Sequence, residues 1–376
     1  MSFNWNMEMI KKLHPMETPC FVLSTNILEQ KYKEYIDLFP NSLIQYAVKA
    51  NAETEVLKKL SALGSGFEVA SIFEFRLLKE VGVPAEKIIF GNSIKPQKHI
   101  KEAFDNGVRL FAFDSLPEIE KISIEAPGAG VYVRISVDDK GSVFRFSEKF
   151  GTPIENAIPF LLQAKKVGLL PLGISFHVGS QSNTSNAWKN AIESLVPILK
   201  KLEEHDIKIE ILNIGGGFPI QYLDTPLVPQ LSEIASAVYH ACKLLPYQPK
   251  LMLEPGRGLV GSSGCAIGTI IAKVERETNT WLFLDLGVYN GLFEAMAYQG
   301  STRYQVELLE NNMTAKSKSY SLAGPSGDSP DIIIKNVLLP ENIEVGQKII
   351  FYNTGAYSLV ACSPFNGFPK PRVYLV

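Results

Sequence analysis

Lys49 is the first residue in this sequence whose type and place could do chemistry. It follows the apolar run of residues 44–48, where a solvated lysine is not expected. Burial at such a place lowers the pKa of an ammonium and makes a competent Schiff-base amine. His177, the triplet Gly215-Gly216-Gly217 and the run Glu254-Pro255-Gly256-Arg257 each close another apolar or β-branched segment. A glycine triplet in that position can cradle a phosphate with its backbone N–H groups. Glu68, Gly91-Asn92, Asp114 and Arg134 stand in or after further segments of the same kind. Taken singly, each has an ordinary reading: a solvated lysine, a turn, a structural histidine. Together, a lysine, a histidine, two arginines, carboxylates and a glycine-rich turn at equivalent positions point to one site. The remaining histidines, His14, His99, His205 and His240, end no such segment and read as structural or exposed.

The elements that would position these residues alternate. Short β-branched runs recur as LIQYAV (43–48), FEVA (67–70), IIFG (88–91), RLFAF (109–113), GVYVRIS (130–136), LGISFH ending at His177, IEILNI (209–214) and KLMLE (250–254). Between them lie stretches such as ETEVLKKLSAL, SIFEFRLLKEVG and NAWKNAIESLVPILKKLEEH, with apolar residues three and four apart; NILEQKYKEYIDLF precedes the first run. Eight strands alternating with eight helices predict a (β/α)8 barrel of the TIM type, which gathers its chemistry at the C-terminal ends of its strands. After residue 260 the pattern changes to CAIGTIIAKVE, TWLFLDLG, RYQVELLE, QKIIFYN and RVYLV, separated by Gly, Pro, Asn and Ser. An antiparallel β-domain is expected there. The predicted division is a barrel over 25–260 and a β-domain of 1–24 with 261–376.

Composition bounds the rest. The chain has 376 residues, 46% of them hydrophobic, and a formal net charge of -2. That is enough for two domains, and without a basic surface nucleic acid is an unexpected partner. Cys20, Cys242, Cys265 and Cys362 are scattered with no CxxC pair, so neither a disulfide framework nor a metal site is expected. The first nineteen residues carry no apolar leader core, and no stretch is long enough to span a bilayer. A cytoplasmic protein without a membrane partner is the expectation.

At the strand-end residues the sequence resembles the fold type III (alanine-racemase-fold) pyridoxal 5'-phosphate (PLP) decarboxylases, and within them the ornithine decarboxylase group. The matching stretches are YAVKAN (46–51), GFEVAS (66–71), VRISVDD (133–139), FHVGS (176–180), NIGGGFP (213–219) and EPGR (254–257), then LGVYNGLF (286–293), GPSGDSPD (324–331) and GAYS (355–358). They run through nearly the whole chain in the family's order. The resemblance implies that Lys49 holds PLP covalently, His177 stacks on its ring and Glu254 meets its ring nitrogen. It implies that Ser180, Gly215, Gly216, Gly217, Gly256, Arg257 and Tyr357 hold the phosphate end. Arg134 would lie near the phenolic oxygen and Glu68 near the lysine end of the ring. Asp328 would reach into the site of a partner copy, which implies a head-to-tail homodimer with shared sites. A carboxylate at the ring nitrogen keeps it protonated and favours loss of a carboxylate from Cα, whereas alanine racemases carry arginine there.

Two positions depart from the family's pattern. Where relatives carry a cysteine that protonates Cα, this chain has Gly327; Lys49, water or another group then delivers the proton, or the substrate needs the room. Cys362 stands too far along the chain to be placed as a substitute. Where ornithine enzymes carry an acid for the distal ammonium, this chain has Leu286, which cannot offer a counter-charge. Asp285 is expected to point the other way, and Glu294 or Asp328 could supply charge instead. The expected function is α-decarboxylation of an L-amino acid. The substrate is either basic, as in polyamine biosynthesis, or an amino-acid-bearing intermediate of the siderophore or antibiotic type. Diaminopimelate is disfavoured because the family's C-E-S loop is absent, and the rival class is a catalytically silent relative that binds or regulates.

Overall fold

Eight apolar runs become the strands of a closed parallel barrel: Leu43–Ala47, Gly66–Val69, Ile88–Phe90, Leu110–Phe113, Gly130–Arg134, Leu170–Ser175, Ile211–Asn213 and Lys250–Leu253. The computed structural model in which they are seen describes residues 5, 9, 13, 15–223, 226–277, 279–297, 304–309 and 316–376. The eighth strand closes on the first, with Met252 opposite Leu43 and Leu253 opposite Ile44. Strands covered on both faces are apolar along their whole length, as LFAF of the fourth shows. Ile89, Ala112, Tyr132 and Met252, with Leu43, Leu110 and Ile211 against them, form the packed barrel interior. Helices cover the outside by burying one face each. Thr54–Ala62 buries Val56, Leu57 and Leu60, and Ile72–Glu80 is opened by Ser71, whose side chain accepts from the Glu74 N–H. The long helical stretch after residue 185 is two helices, Asn186–Ser194 and Val196–Glu204. Pro197 explains the break, since it has no N–H to continue the first helix.

The second sheet holds eight strands: Cys20–Leu23, Gly264–Glu275, Thr280–Leu284, Val306–Leu308, Ser317–Ala323, Ile332–Pro340, Lys348–Tyr352 and Arg372–Leu375. Three of them, the first, fifth and sixth, are absent from the strands read in the sequence. The sheet is mostly antiparallel, as expected, with parallel pairing at two places. Cys20–Leu23 runs parallel to Arg372–Leu375, and Thr280–Leu284 parallel to Ser317–Ala323. Long connections between those pairs make the parallel arrangement possible.

The chain divides into two units: 31–219 with 227–258, which holds the barrel, and 1–30 with 220–226 and 259–376, which holds the second sheet. This differs from the expected bounds of 25–260. Ile27 packs with Cys20, Val22 and Cys265, while Ile220 and Tyr222 join the core under the second sheet. The start of the helix Thr25–Leu38 and the 220–226 segment therefore belong with the sheet.

Candidate active site

A cavity of about 230 Å³ opens at the C-terminal ends of the barrel strands, and Lys49, Glu68, Arg134, His177 and Glu254 all line it. Each arrives from a different strand. Lys49 sits in a single 3-10 turn, Val48–Ala50, directly after the first strand. That turn buries Val48 and Ala50 and sends the lysine side chain into the cavity, where it is 46% exposed. The expected burial of Lys49 is thus corrected. Its Nζ lies 3.4 Å from Glu68 Oε2, whose carboxylate is 2% exposed. Gly91, after the third strand, makes room for Glu68: a Cβ there would stand 2.5 Å from the carboxylate.

Glu254 comes one residue after the eighth strand. Its Oε1 accepts a 2.6 Å hydrogen bond from Asn213 Nδ2, and the Tyr132 hydroxyl stands 3.5 Å away, a weak contact. Burial, and next the nearby Glu68 carboxylate, push the Glu254 pKa upward, while Lys49, the Asn213 hydrogen bond and Arg134 pull it back. His177 stands two residues beyond the end of the sixth strand, not at its end as expected, because pairing stops at Ser175. Its Nδ1 accepts from the Gly179 N–H at 3.0 Å. Burial, with Arg134 and Lys49 adding to it, holds its pKa well below the ordinary value. The imidazole is therefore neutral, with its proton on Nε2. Arg134 is held below the usual guanidinium range by burial, opposed by Glu254, Asp114 and Glu68.

The glycine triplet crosses behind these groups. Gly215 and Gly217 have φ of 65° and 96°. A Cβ on Gly216 would lie 2.7 Å from the Glu254 carbonyl oxygen and 3.1 Å from His177 Nε2. A Cβ on Gly217 would meet the Gly179 carbonyl oxygen at 2.5 Å. Only glycine fits, and a run of side-chain-free backbone is left beside the cavity. Ser180, Gly256 and Arg257 are buried in the same unit, with the Arg257 guanidinium 5.2 Å from the Phe144 ring.

Asn213 and Tyr132 were not singled out in the sequence, nor were Phe146 and Phe150, which also line the cavity. Asn213 lay within the motif NIGGGFP; Tyr132 carried no signal apart from its place in a strand. Of the remaining histidines, His99 and His240 lie within helices and His205 at the end of one, none of them lining the cavity; His14 lies outside the described residues.

The other predicted residues fall in the second unit. Leu286 is fully buried in the core under the sheet, where a Cβ on Gly291 would meet both it and Phe21 at 2.9 Å. Asp285, as expected, turns elsewhere: its carboxylate accepts from Thr18 Oγ1 at 2.6 Å and from the Thr269 N–H at 2.7 Å. Asp328 is exposed and accepts a short hydrogen bond from the Tyr289 hydroxyl. Asp331, buried, ties that loop by accepting from Val288 N–H at 2.8 Å and Ser326 Oγ at 2.6 Å. Around Gly327 nothing stands within 4 Å of where a Cβ would be. Glu294 is 3% exposed, and Tyr357 adopts a φ of 54°. Cys362 directs its Sγ at the Ser358 carbonyl oxygen, 3.6 Å away. Among the described residues no group of ligating side chains could hold a metal, and no helix is long and apolar enough to cross a membrane.

Residues 25–261 match the model of the pyridoxal-dependent decarboxylases, pyridoxal binding domain. The lysine/ornithine decarboxylase of Selenomonas ruminantium is 33% identical over 93% of this chain and 88% of its own length. Antizyme inhibitor 2 of Xenopus laevis is 34% identical over 94% of this chain and 80% of its own. The solved lysine decarboxylase of Selenomonas ruminantium with PLP and cadaverine superposes with a TM-score of 0.91 at 31% identity, covering 100% of this chain and 95% of that one.

Proposed function

The chain belongs to the pyridoxal-dependent decarboxylase family, and from that membership we propose that it removes the α-carboxylate of a basic L-amino acid of the lysine, ornithine or arginine type. The observation that carries this is the cavity onto which a lysine, a histidine, an arginine and two carboxylates converge. PLP, when bound, supplies a sink for the electron pair left on Cα as carbon dioxide departs.

The residues present fit that cofactor. The glycine triplet leaves a cradle that any Cβ would fill, and the buried Arg257 adds a cation for an anionic group; with Ser180 and Gly256 these are the residues we assign to the phosphate end. Lys49, held 3.4 Å from Glu68 and open to the cavity, is the amine assigned to carry the cofactor. Glu254 is assigned to the ring nitrogen, where its raised pKa suits a group that shares a proton. Asn213 fixes the orientation of that carboxylate, and neutral His177 offers its ring face without adding charge.

For the substrate, the buried Leu286 offers no charge. Asp328, exposed and held by Tyr289, is the carboxylate assigned to the distal ammonium. The decarboxylase relatives support a basic substrate rather than diaminopimelate or a larger conjugate. The likeness to antizyme inhibitor 2 keeps a silent, regulatory relative as the second reading. The head-to-tail homodimer is also part of the proposal. Mixing Lys49→Ala with Asp328→Ala protomers restores turnover if each site takes residues from two copies, and restores none if it does not.

The test is a screen of the PLP-loaded protein for carbon dioxide release from lysine, ornithine, arginine, diaminopimelate and larger conjugates. Release from one of the first three, together with a visible cofactor band, is expected. A band without release from any substrate would favour the silent relative.

A further inference from the structure

Between the fifth and sixth barrel strands the chain makes a small detour that the sequence did not announce. Ser142–Phe144 pairs antiparallel with Ser180–Ser182, the strand that begins three residues after His177. Gly179, at φ 82°, lets the two approach, since a Cβ there would lie 2.0 Å from Ser142 Oγ. Three phenylalanines of this detour meet three of the cationic or aromatic groups of the site. Phe144 lies 5.2 Å from the Arg257 guanidinium, Phe150 lies 5.2 Å from that of Arg134, and Phe146 stands edge-on to His177 at 5.0 Å and 71°. Both ends of the detour are tied down: Ser136 N–H donates to the Thr152 carbonyl and Gly151 N–H to Asp114 Oδ2. In the middle, one side chain adds three further hydrogen bonds. Asp139, 3% exposed, accepts from the Phe146 N–H at 2.6 Å, the Ser147 N–H at 2.9 Å and Ser147 Oγ at 2.8 Å. Burial alone would raise its pKa, but these hydrogen bonds outweigh it and keep the carboxylate charged.

We propose that Asp139 is a positioning residue for the cofactor pocket: by fastening residues 139–147 it holds Phe146 against His177 and so slows escape of the bound cofactor. The proposal rests on the barrel mouth being the PLP site. Phe146 and Phe150 already form part of the cavity wall, so their placement bears on whatever the cavity holds. Oδ2 takes both backbone donors and Oδ1 the Ser147 hydroxyl, so removing the side chain releases all three ties at once.

The experiment measures the rate at which PLP leaves the holoenzyme when it is diluted into an excess of a PLP-scavenging apoenzyme. Phe146→Ala and Asp139→Ala are each expected to release it about three- to tenfold faster, the range set by loss of one edge-on aromatic pair. The double variant is expected to release no faster than the faster single one, because Asp139 acts through Phe146. Should Asp139→Ala not fold, Phe146→Leu keeps the apolar volume while removing the ring, and faster release is still expected. Wild-type release rates in Phe146→Ala and Phe146→Leu would overturn the proposal, as would effects that multiply in the double variant. A wild-type protein that never takes up PLP would instead overturn the assignment of the cavity, and this inference with it.

Discussion

Two lysines near the mouth of the barrel each meet a glutamate, and they are used in opposite ways. Lys49, after the first strand, keeps its side chain 46% exposed and lies 3.4 Å from Glu68. Lys95, after the third strand, is completely buried and ion-paired with Glu118 Oε1 at 2.9 Å. Its Nζ also donates to the carbonyls of Asn92 at 2.8 Å and Ala112 at 2.6 Å. Two donors of the ammonium go to carbonyls and its charge is paired with Glu118, all of it out of solvent. Glu118 is shared with Lys121 at 2.5 Å, and Lys121 Nζ returns to the Lys95 carbonyl at 2.6 Å. One lysine opens to a cavity beside Glu68. The other is a rivet that fixes the loop carrying Asn92 to the next strand. Reactivity in this fold follows what a lysine's protons are doing and not its burial alone.

Four measurements test this account, with effects of decreasing size. Lys49→Ala should abolish both turnover and the visible cofactor band while leaving the melting temperature nearly unchanged, as spectra and thermal melts would show. A variant that still turns over would remove Lys49 from its role. Lys95→Met leaves two buried carbonyls and Glu118 short of a partner, so unfolding in denaturant should show a loss of about 3–5 kcal/mol. A loss under 1 kcal/mol would mean the rivet carries no load.

The same lysine gives a pH signature. Burial, opposed by its pairing with Glu118, lowers the Lys95 pKa from 10.5 to about 8. Between those values the unfolded chain binds the proton more tightly than the folded one, so stability contributed by this group rises with pH across that window. The wild-type advantage over Lys95→Met should therefore be larger at pH 9.5 than at pH 7. An advantage that shrinks would contradict the depressed value. The smallest effect is expected at Gly327→Cys. Open space surrounds that position, so stability should change by no more than about 0.5 kcal/mol. The reading that a substrate needs the room there would gain support only if the variant folds but loses affinity.

The barrel was legible because parallel strands covered on both faces are continuous apolar runs, and because motif residues cluster at strand ends by topology. The second sheet was less so. Ser317–Ala323 begins with three partly or fully exposed residues and Ile332–Pro340 is interrupted by exposed Lys335 and Asn336, so neither reads as a clean strand. Cys20–Leu23 is four residues long and gains its identity only from partners some 250 and 350 positions away. Lys49 was found, but its exposure was not, since a one-turn helix after the strand decides it. Lys95 could not have been singled out. Nothing in SIKPQK distinguishes a buried ammonium from the two solvated-looking lysines near it, because its partners Ala112 and Glu118 come from other elements. Asn213 and Phe146 were missed for the same reason: each acts through contacts that only the closed barrel brings together.

The central claim is that Lys49, and no other lysine, carries the cofactor. Reduction of the PLP-loaded protein with borohydride, followed by proteolysis and mass spectrometry, tests it directly. The expected result is a single pyridoxyl group on the peptide that contains Lys49 and none on the peptide that contains Lys95. A label on Lys95, or none on Lys49 in a protein that shows the visible band, would contradict the account.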